Sequence, residues 1–203
     1  MGVYVKQNQA PVLDPIGDKT ANEGQELTFT ITATDPDEAD TLTFTAENLP
    51  DGASFDPVTQ TFTWTPGFDD EGNYPGVVFT VSDDGLPILT DSETIGITVL
   101  NTNRAPVAEA GTGQTVHVGE SVTLDGSASY DLDGNLLTFA WSFVSRPAGS
   151  AATLNGADSV YPTFTPDKRG DYVIQLVVDD GITKTGNAPD TVTITTENSA
   201  PVA

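Results

Sequence analysis

The sequence predicts an all-β chain made of two consecutive β-sandwiches of about seven strands each. Three observations carry this expectation: a repeat with a period near 95 residues, apolar residues alternating with polar ones at period two, and clusters of Asp, Gly, Pro and Asn between the short alternating runs. No stretch sustains the 3.6-residue period of a helix.

The repeat is read from three markers. Asn8-Gln9-Ala10-Pro11-Val12 returns as Asn103-Arg104-Ala105-Pro106-Val107 and again as Asn198-Ser199-Ala200-Pro201-Val202, each 95 residues on. Asp35-Pro36-Asp37 and Asp83-Asp84-Gly85 find counterparts 96 residues on, in Asp131-Leu132-Asp133 and Asp179-Asp180-Gly181. Domains are therefore expected at residues 8–102 and 103–198, with 199–203 opening a following unit.

The first strand of clear alternation sets Leu27, Phe29, Ile31 and Ala33 against Thr28, Thr30, Thr32 and Thr34. Leu42, Phe44 and Ala46 repeat the pattern, followed by strands at 61–65, 77–81 and 93–100. Tyr74 is out of phase with Val77, Phe79 and Val81, so the intervening Pro75-Gly76 predicts a bulge that resets the phase. In the second domain the matching strands are expected at 121–125, 137–143, 160–165, 172–178 and 191–195. Leu137, Phe139, Trp141 and Phe143 share one parity, as do Tyr172, Ile174, Leu176 and Val178, so each set can line an inner face. Seven or so short strands per 95 residues describe an immunoglobulin-like sandwich, and Gly170-Asp171-Tyr172 has the form of a tyrosine corner.

Charge narrows the function. Thirty acidic residues against seven Lys and Arg give a formal net charge of −23, a field that repels nucleic-acid phosphates and anionic lipid surfaces. With no Cys, the chain has no disulfide framework, thiol nucleophile or Cys-based zinc site. No window reaches the roughly 18 apolar residues of a membrane span, and the first residues do not form an export signal. The sequence reads as a piece of a longer exported protein. His117 is the single histidine and has no nucleophile motif beside it. No active site is read, and Trp64 and Trp141, which share parity with apolar neighbours, are expected in the cores rather than on a sugar-binding platform.

Two resemblances add to this. Through Leu49-Pro50-Asp51-Gly52-Ala53-Ser54-Phe55-Asp56, Thr63-Trp64-Thr65-Pro66 and Val81-Ser82-Asp83-Asp84-Gly85-Leu86-Pro87, the first domain resembles a bacterial cadherin-like (dystroglycan-type, Ig) domain. Through Gly126-Ser127-Ala128-Ser129, Asp131-Leu132-Asp133-Gly134-Asn135, Leu137-Thr138-Phe139-Ala140-Trp141 and the run from Tyr172 to Gly181, the second resembles a polycystic-kidney-disease (PKD) domain. The resemblance implies a string of domains in a secreted or surface protein, with Ca²⁺ near the junctions between them.

Calcium takes roughly six to eight oxygen ligands, more than one loop supplies. The opening segment of each unit and the loops after its second and sixth strands can meet at one pole. On the resemblance, the ligands expected there are Asn103, Asp131, Asp133 and Asp179, with the Arg104 carbonyl, in the second domain, and Asn8, Asp35, Asp37 and Asp83 in the first. A second, cadherin-like set would draw on Glu23, Asp69 and Glu71. The linker 101–106 is one residue shorter than a cadherin linker, has Asn where an acid is expected and adds Arg104, while Val118 stands where the first domain has Glu23. The acids are also unevenly shared: 18 acids and one base in 8–103, 12 acids and five bases in 104–203.

The function expected is a non-enzymatic, calcium-rigidified spacer or adhesion segment, exported by a bacterium and flanked by neighbouring repeat domains. The alternative is an accessory module that binds carbohydrate or protein beside a separate extracellular hydrolase.

Overall fold

The structure, a computed structural model, describes residues 7–182 and 188–197. The third marker, expected at 198–203, lies outside the described residues. The chain divides between Thr102 and Asn103 into two compact units, and the described residues form strands, turns and loops without a helix.

Domain 1 contains β1 (Val12–Leu13), β2 (Lys19–Asn22), β3 (Leu27–Thr30), β4 (Ala33–Thr34), β5 (Thr43–Glu47), β6 (Ser54–Asp56), β7 (Thr61–Trp64), β8 (Gly72–Ser82) and β9 (Thr90–Leu100). A four-stranded sheet in the order β2-β9-β8-β5 faces a three-stranded sheet β3-β7-β6, with the pair β1-β4 beside them. The long alternating run 27–34 keeps its inward parity but changes partner. Leu27 to Thr30 pair with β7, the Ile31 N–H reaches the Gln60 carbonyl, and the Asp14 N–H reaches Thr32, which carries the chain across to β1. The strand therefore appears as β3 and β4 rather than as one element.

Phe62, Trp64, Phe79, Val81, Ile95 and Ile97 are each at most 2 % exposed and form the core with Ile31 and Phe44. The register of β8 against β9 shifts between Pro75 and Val77, and Gly76 takes φ 87° there, a conformation that glycine adopts without steric cost. The bulge leaves Tyr74 edge-on to Trp64, ring centroids 4.9 Å apart, while Val77, Phe79 and Val81 point into the core.

Domain 2 contains β10 (Gln114–His117), β11 (Val122–Thr123), β12 (Thr138–Ser145), β13 (Thr163–Phe164), β14 (Asp171–Asp179) and β15 (Asp190–Glu197). The sheet β10-β15-β14-β12 opposes the pair β11-β13. β10 runs parallel to β15, as β2 does to β9. Trp141, Tyr172, Ile174, Leu176, Val178 and Ile194 are buried. Tyr172 closes the corner: its hydroxyl accepts the N–H groups of Asp167 and Lys168 at 3.1 and 2.9 Å. Both tryptophans lie in the cores and donate their indole N–H to carbonyls, Trp64 to Asp51 and Trp141 to Ser159.

Two equivalent turns fix the correspondence between the domains. Gly24 donates to the Pro66 carbonyl and Gly119 to the Pro166 carbonyl, both at 2.8 Å. Val118 thus occupies the place of Glu23. At the other end the strand ladders align Thr43↔Ser82 with Thr138↔Asp179, so Asp83 corresponds to Asp180, 97 residues on.

Candidate cation site

At one pole of domain 1, the segment before β1, the loop between β4 and β5 and the loop between β8 and β9 come together. The middle loop begins with an Asx turn, in which Asp35 Oδ1 accepts the Asp37 N–H at 2.7 Å. The Asp40 N–H then donates to the Asp37 carbonyl at 2.9 Å, curling the loop so that Asp40 returns toward Asp35. Asp83 enters from the third loop, and its Oδ1 accepts the N–H groups of Gly85 and Leu89. Asn8 donates its side-chain amide to Asp83 Oδ2 at 2.9 Å, and the Gln9 N–H donates to Asp37 Oδ2 at 2.8 Å. Asp84 ties the two loops by accepting the Thr41 N–H.

The result is a set of carboxylates with unmet demand. Asp35, Asp40 and Asp83 each offer an oxygen within 4.8 Å of the others. Asp35 Oδ2 and Asp40 Oδ2 are buried with no hydrogen-bond partner, and Asp83 is 4 % exposed. Burial raises the pKa of Asp40, and the charges of Asp35, Asp37, Asp84 and Asp83 raise it further. Among the described residues of domain 1 the single basic side chain is Lys19, and its ammonium is held elsewhere, by the Ile16 carbonyl and over the Phe29 ring. A buried carboxylate oxygen without a donor is costly. A divalent ion with ligands at roughly 2.3–2.6 Å spans oxygens up to about 5 Å apart, the separation these three acids present.

Four residues expected at this pole, Asn8, Asp35, Asp37 and Asp83, are brought together. Asp40 was missed because neither Asn135 nor Leu136, 95 and 96 residues on, is an acid, so the repeat gave it no counterpart.

The matching pole of domain 2 has the same scaffold and different contents. Asp131 Oδ1 accepts the Asp133 N–H at 2.8 Å, and Asn103 donates to Asp180 Oδ2 at 2.8 Å. Asn103 Oδ1 accepts the Asn135 amide. Asp179, the residue expected here, lies one step short, on the end of β14, and accepts the Gly181 N–H. The DDG motif invites an alignment that the strand register shifts by one. Asp133 is held by Arg104: the backbone N–H donates to Oδ2 at 2.5 Å and Nε to Oδ1 at 2.7 Å. The backbone bond leads, with the guanidinium adding to it, in lowering the pKa of Asp133.

The second set is arranged differently from expectation. Glu23 is 1 % exposed, and its two carboxylate oxygens accept the N–H groups of Glu71 at 3.0 Å and Thr102 at 2.9 Å. Glu71 thus meets Glu23 through its backbone, while the side chains of Asp69 and Glu71 are on the exposed surface.

Comparison with known proteins agrees with this division. Residues 10–100 match the family model described as "Putative Ig domain", and residues 110–196 match the model "K319L-like, PKD domain". A curated rat protein, the dyslexia-associated protein KIAA0319 homolog, is 30 % identical over 139 residues, 66 % of this chain and 12 % of that protein. The chain therefore spans about an eighth of that relative's length. Mouse cadherin-23 EC22-24 is similar in structure with a TM-score of 0.58 at 15 % identity, over 93 % of this chain and 65 % of that one. The protocadherin gammaB4 extracellular domain has a TM-score of 0.52 at 14 % identity, over 93 % and 34 %. These likenesses show the fold: two consecutive Ig-like β-sandwiches, one Ig-type and one PKD-type.

Proposed function

Taking the chain as an Ig-type domain followed by a PKD-type domain, we propose that it is a non-catalytic, calcium-binding segment of a larger extracellular protein, serving as a spacer or adhesion module among neighbouring domains. The observation that carries the calcium reading is the meeting of Asp35, Asp40 and Asp83, two of which keep a buried oxygen without a donor. The donor set is all oxygen and entirely acidic, with no sulfur and no imidazole, which favours a hard cation such as Ca²⁺ over zinc.

Asp35, Asp40 and Asp83 would supply the charged ligands, with Asp37 and Asn8 holding the surrounding loops. A bound ion supplies positive charge that offsets the mutual repulsion of these carboxylates. The chain's own contribution is to preset the loops: the Asx turn at Asp35 shapes the middle loop, and the Asn8 to Asp83 and Gln9 to Asp37 bonds bring three chain-distant segments to one place. The likeness to an extracellular domain of a protocadherin supports placement outside the cell.

Calorimetric titration of the chelator-treated chain with Ca²⁺ tests the reading. Binding is expected in the wild type, lost in Asp35→Asn and Asp83→Asn, and accompanied by a higher melting temperature of domain 1. No heat, together with equal melting temperatures in calcium and in chelator, would overturn it.

A further inference from the structure

The two poles differ at one position that changes their electrostatics. In domain 1 the Gln9 N–H donates to Asp37 Oδ2; in domain 2 the equivalent bond runs from the Arg104 N–H to Asp133 Oδ2. The backbone geometry is shared, and the side chain is not. Where domain 1 has the neutral Gln9, the Arg104 guanidinium turns back onto the acidic turn, with Nε 2.7 Å from Asp133 Oδ1 and a terminal nitrogen 2.8 Å from the Leu132 carbonyl. The Asp133 side chain is 2 % exposed and the Arg104 side chain 21 % exposed, so this contact is largely withdrawn from water, which would otherwise weaken the attraction between the two charges.

The third ligand is also replaced. Ninety-six residues on from Asp40 stands Leu136, which is 91 % exposed, and Asn135, one residue earlier, donates to Asn103. The pole of domain 1 thus gathers Asp35, Asp37, Asp40 and Asp83, while in domain 2 the guanidinium holds Asp133, Asp131 accepts the Asp133 N–H and Asp180 accepts from Asn103.

We propose that Arg104 is the resident cation of the domain-2 pole, a positioning residue that holds Asp133 and Leu132 in place and keeps divalent ions out of a turn otherwise built to receive one. A guanidinium delivers its charge through fixed, planar donors, so the turn keeps one shape whatever the calcium concentration. Asp131 Oδ2, buried and without a hydrogen-bond partner, is the oxygen that an incoming ion would meet once that charge is removed. The contrast with domain 1 rests on the calcium reading above; the role of Arg104 in domain 2 does not.

The test is a Ca²⁺ titration of the full ¹⁵N-labelled chain, followed by amide chemical shifts to about 10 mM, above the weakest affinities typical of extracellular calcium modules. In the wild type, the amides of Gln9 and Asp37 are expected to move, while those of Arg104, Asp133 and Asn135 stay still. In Arg104→Gln, which copies domain 1, the amides of residues 104, 133 and 135 should respond at least tenfold more tightly than in the wild type. In Arg104→Lys, which keeps the charge, they should remain still. The indole resonance of Trp141 reports that each variant keeps its fold. Wild-type domain-2 amides that titrate alongside Gln9 would overturn the proposal, and so would a folded Arg104→Gln whose domain-2 amides do not respond. If Gln9 and Asp37 stay still throughout, the calcium reading of domain 1 fails, and the response of Arg104→Gln still decides the role of Arg104.

Discussion

Asn8 and Asp83 are 75 residues apart in the chain, and the side-chain amide of one donates to the carboxylate of the other at 2.9 Å. The contact depends on a missing side chain: a Cβ on Gly85 would lie 2.3 Å from the Asn8 amide. Asn8 is held from two sides, by Asp83 and by the Pro87 carbonyl, so it cannot move aside without losing a bond. Gly85→Ala is expected to cost domain 1 about 1 kcal/mol, the net worth of one such bond, and to weaken calcium binding several-fold. Differential scanning calorimetry and calcium titration of the same variant check both, and an unchanged melting temperature would show that Asn8 is not needed to set the loop.

Asp40 gives a prediction whose sign depends on the ion. Its pKa in the folded chain is raised above the ordinary 3.8, first by burial and then by Asp35, Asp37, Asp84 and Asp83. A raised carboxylate pKa means that stability is full below the unfolded value and falls as pH rises through the folded one. Without calcium, Asp40→Asn should therefore raise the melting temperature of domain 1 at pH 7, and the gain should vanish near pH 3. With calcium the order should reverse, because the variant loses a ligand. Thermal melts at both pH values, with and without calcium, test this directly.

Asp167 provides the opposite case in domain 2. Hydrogen bonds from the Ser150 hydroxyl, the Ala151 N–H and the Tyr172 hydroxyl lower its pKa from 3.8 to about 2. With a depressed folded pKa, its contribution is full above the unfolded value and lost as pH falls through the folded one. The melting-temperature gap between the wild type and Asp167→Asn is expected to be constant from pH 7 to pH 5 and to narrow from about pH 4 to pH 2. A gap that widens in acid would contradict the assignment.

Tyr172→Phe isolates the corner. The ring is fully buried, and removing its hydroxyl leaves the N–H groups of Asp167 and Lys168 without their acceptor. The expected loss is about 1–3 kcal/mol, or roughly 4–8 °C in melting temperature per kcal/mol for a domain of this size. Domain 1, monitored through Trp64 in a Trp141→Phe background, should be unaffected.

Much of the fold was legible because a half-buried strand writes its period into the chain. The parity of Phe29 and Ile31, of Phe44, and of Tyr172 to Val178 identified the inner faces, and the phase break at Tyr74 located the bulge that the ladder of β8 and β9 contains. The short strands were not legible. Lys19 to Asn22 pairs in parallel with β9, yet four residues with one buried side chain carry no readable alternation.

The sequence by itself determined the long alternating strands, which of their side chains face inward, and that acidic turns recur with the repeat, because these follow from local periodicity and turn chemistry. Only the tertiary structure decided which acids share a space. The pairing of β12 with β14 put Asp180 rather than Asp179 beside Asn103, the curl of the loop after β4 brought in Asp40, and Arg104 folded back onto Asp133. Each of these depends on strand register or on a contact between residues far apart in the chain. A one-residue slip leaves composition and period unchanged while moving a carboxylate to the other face of the sheet.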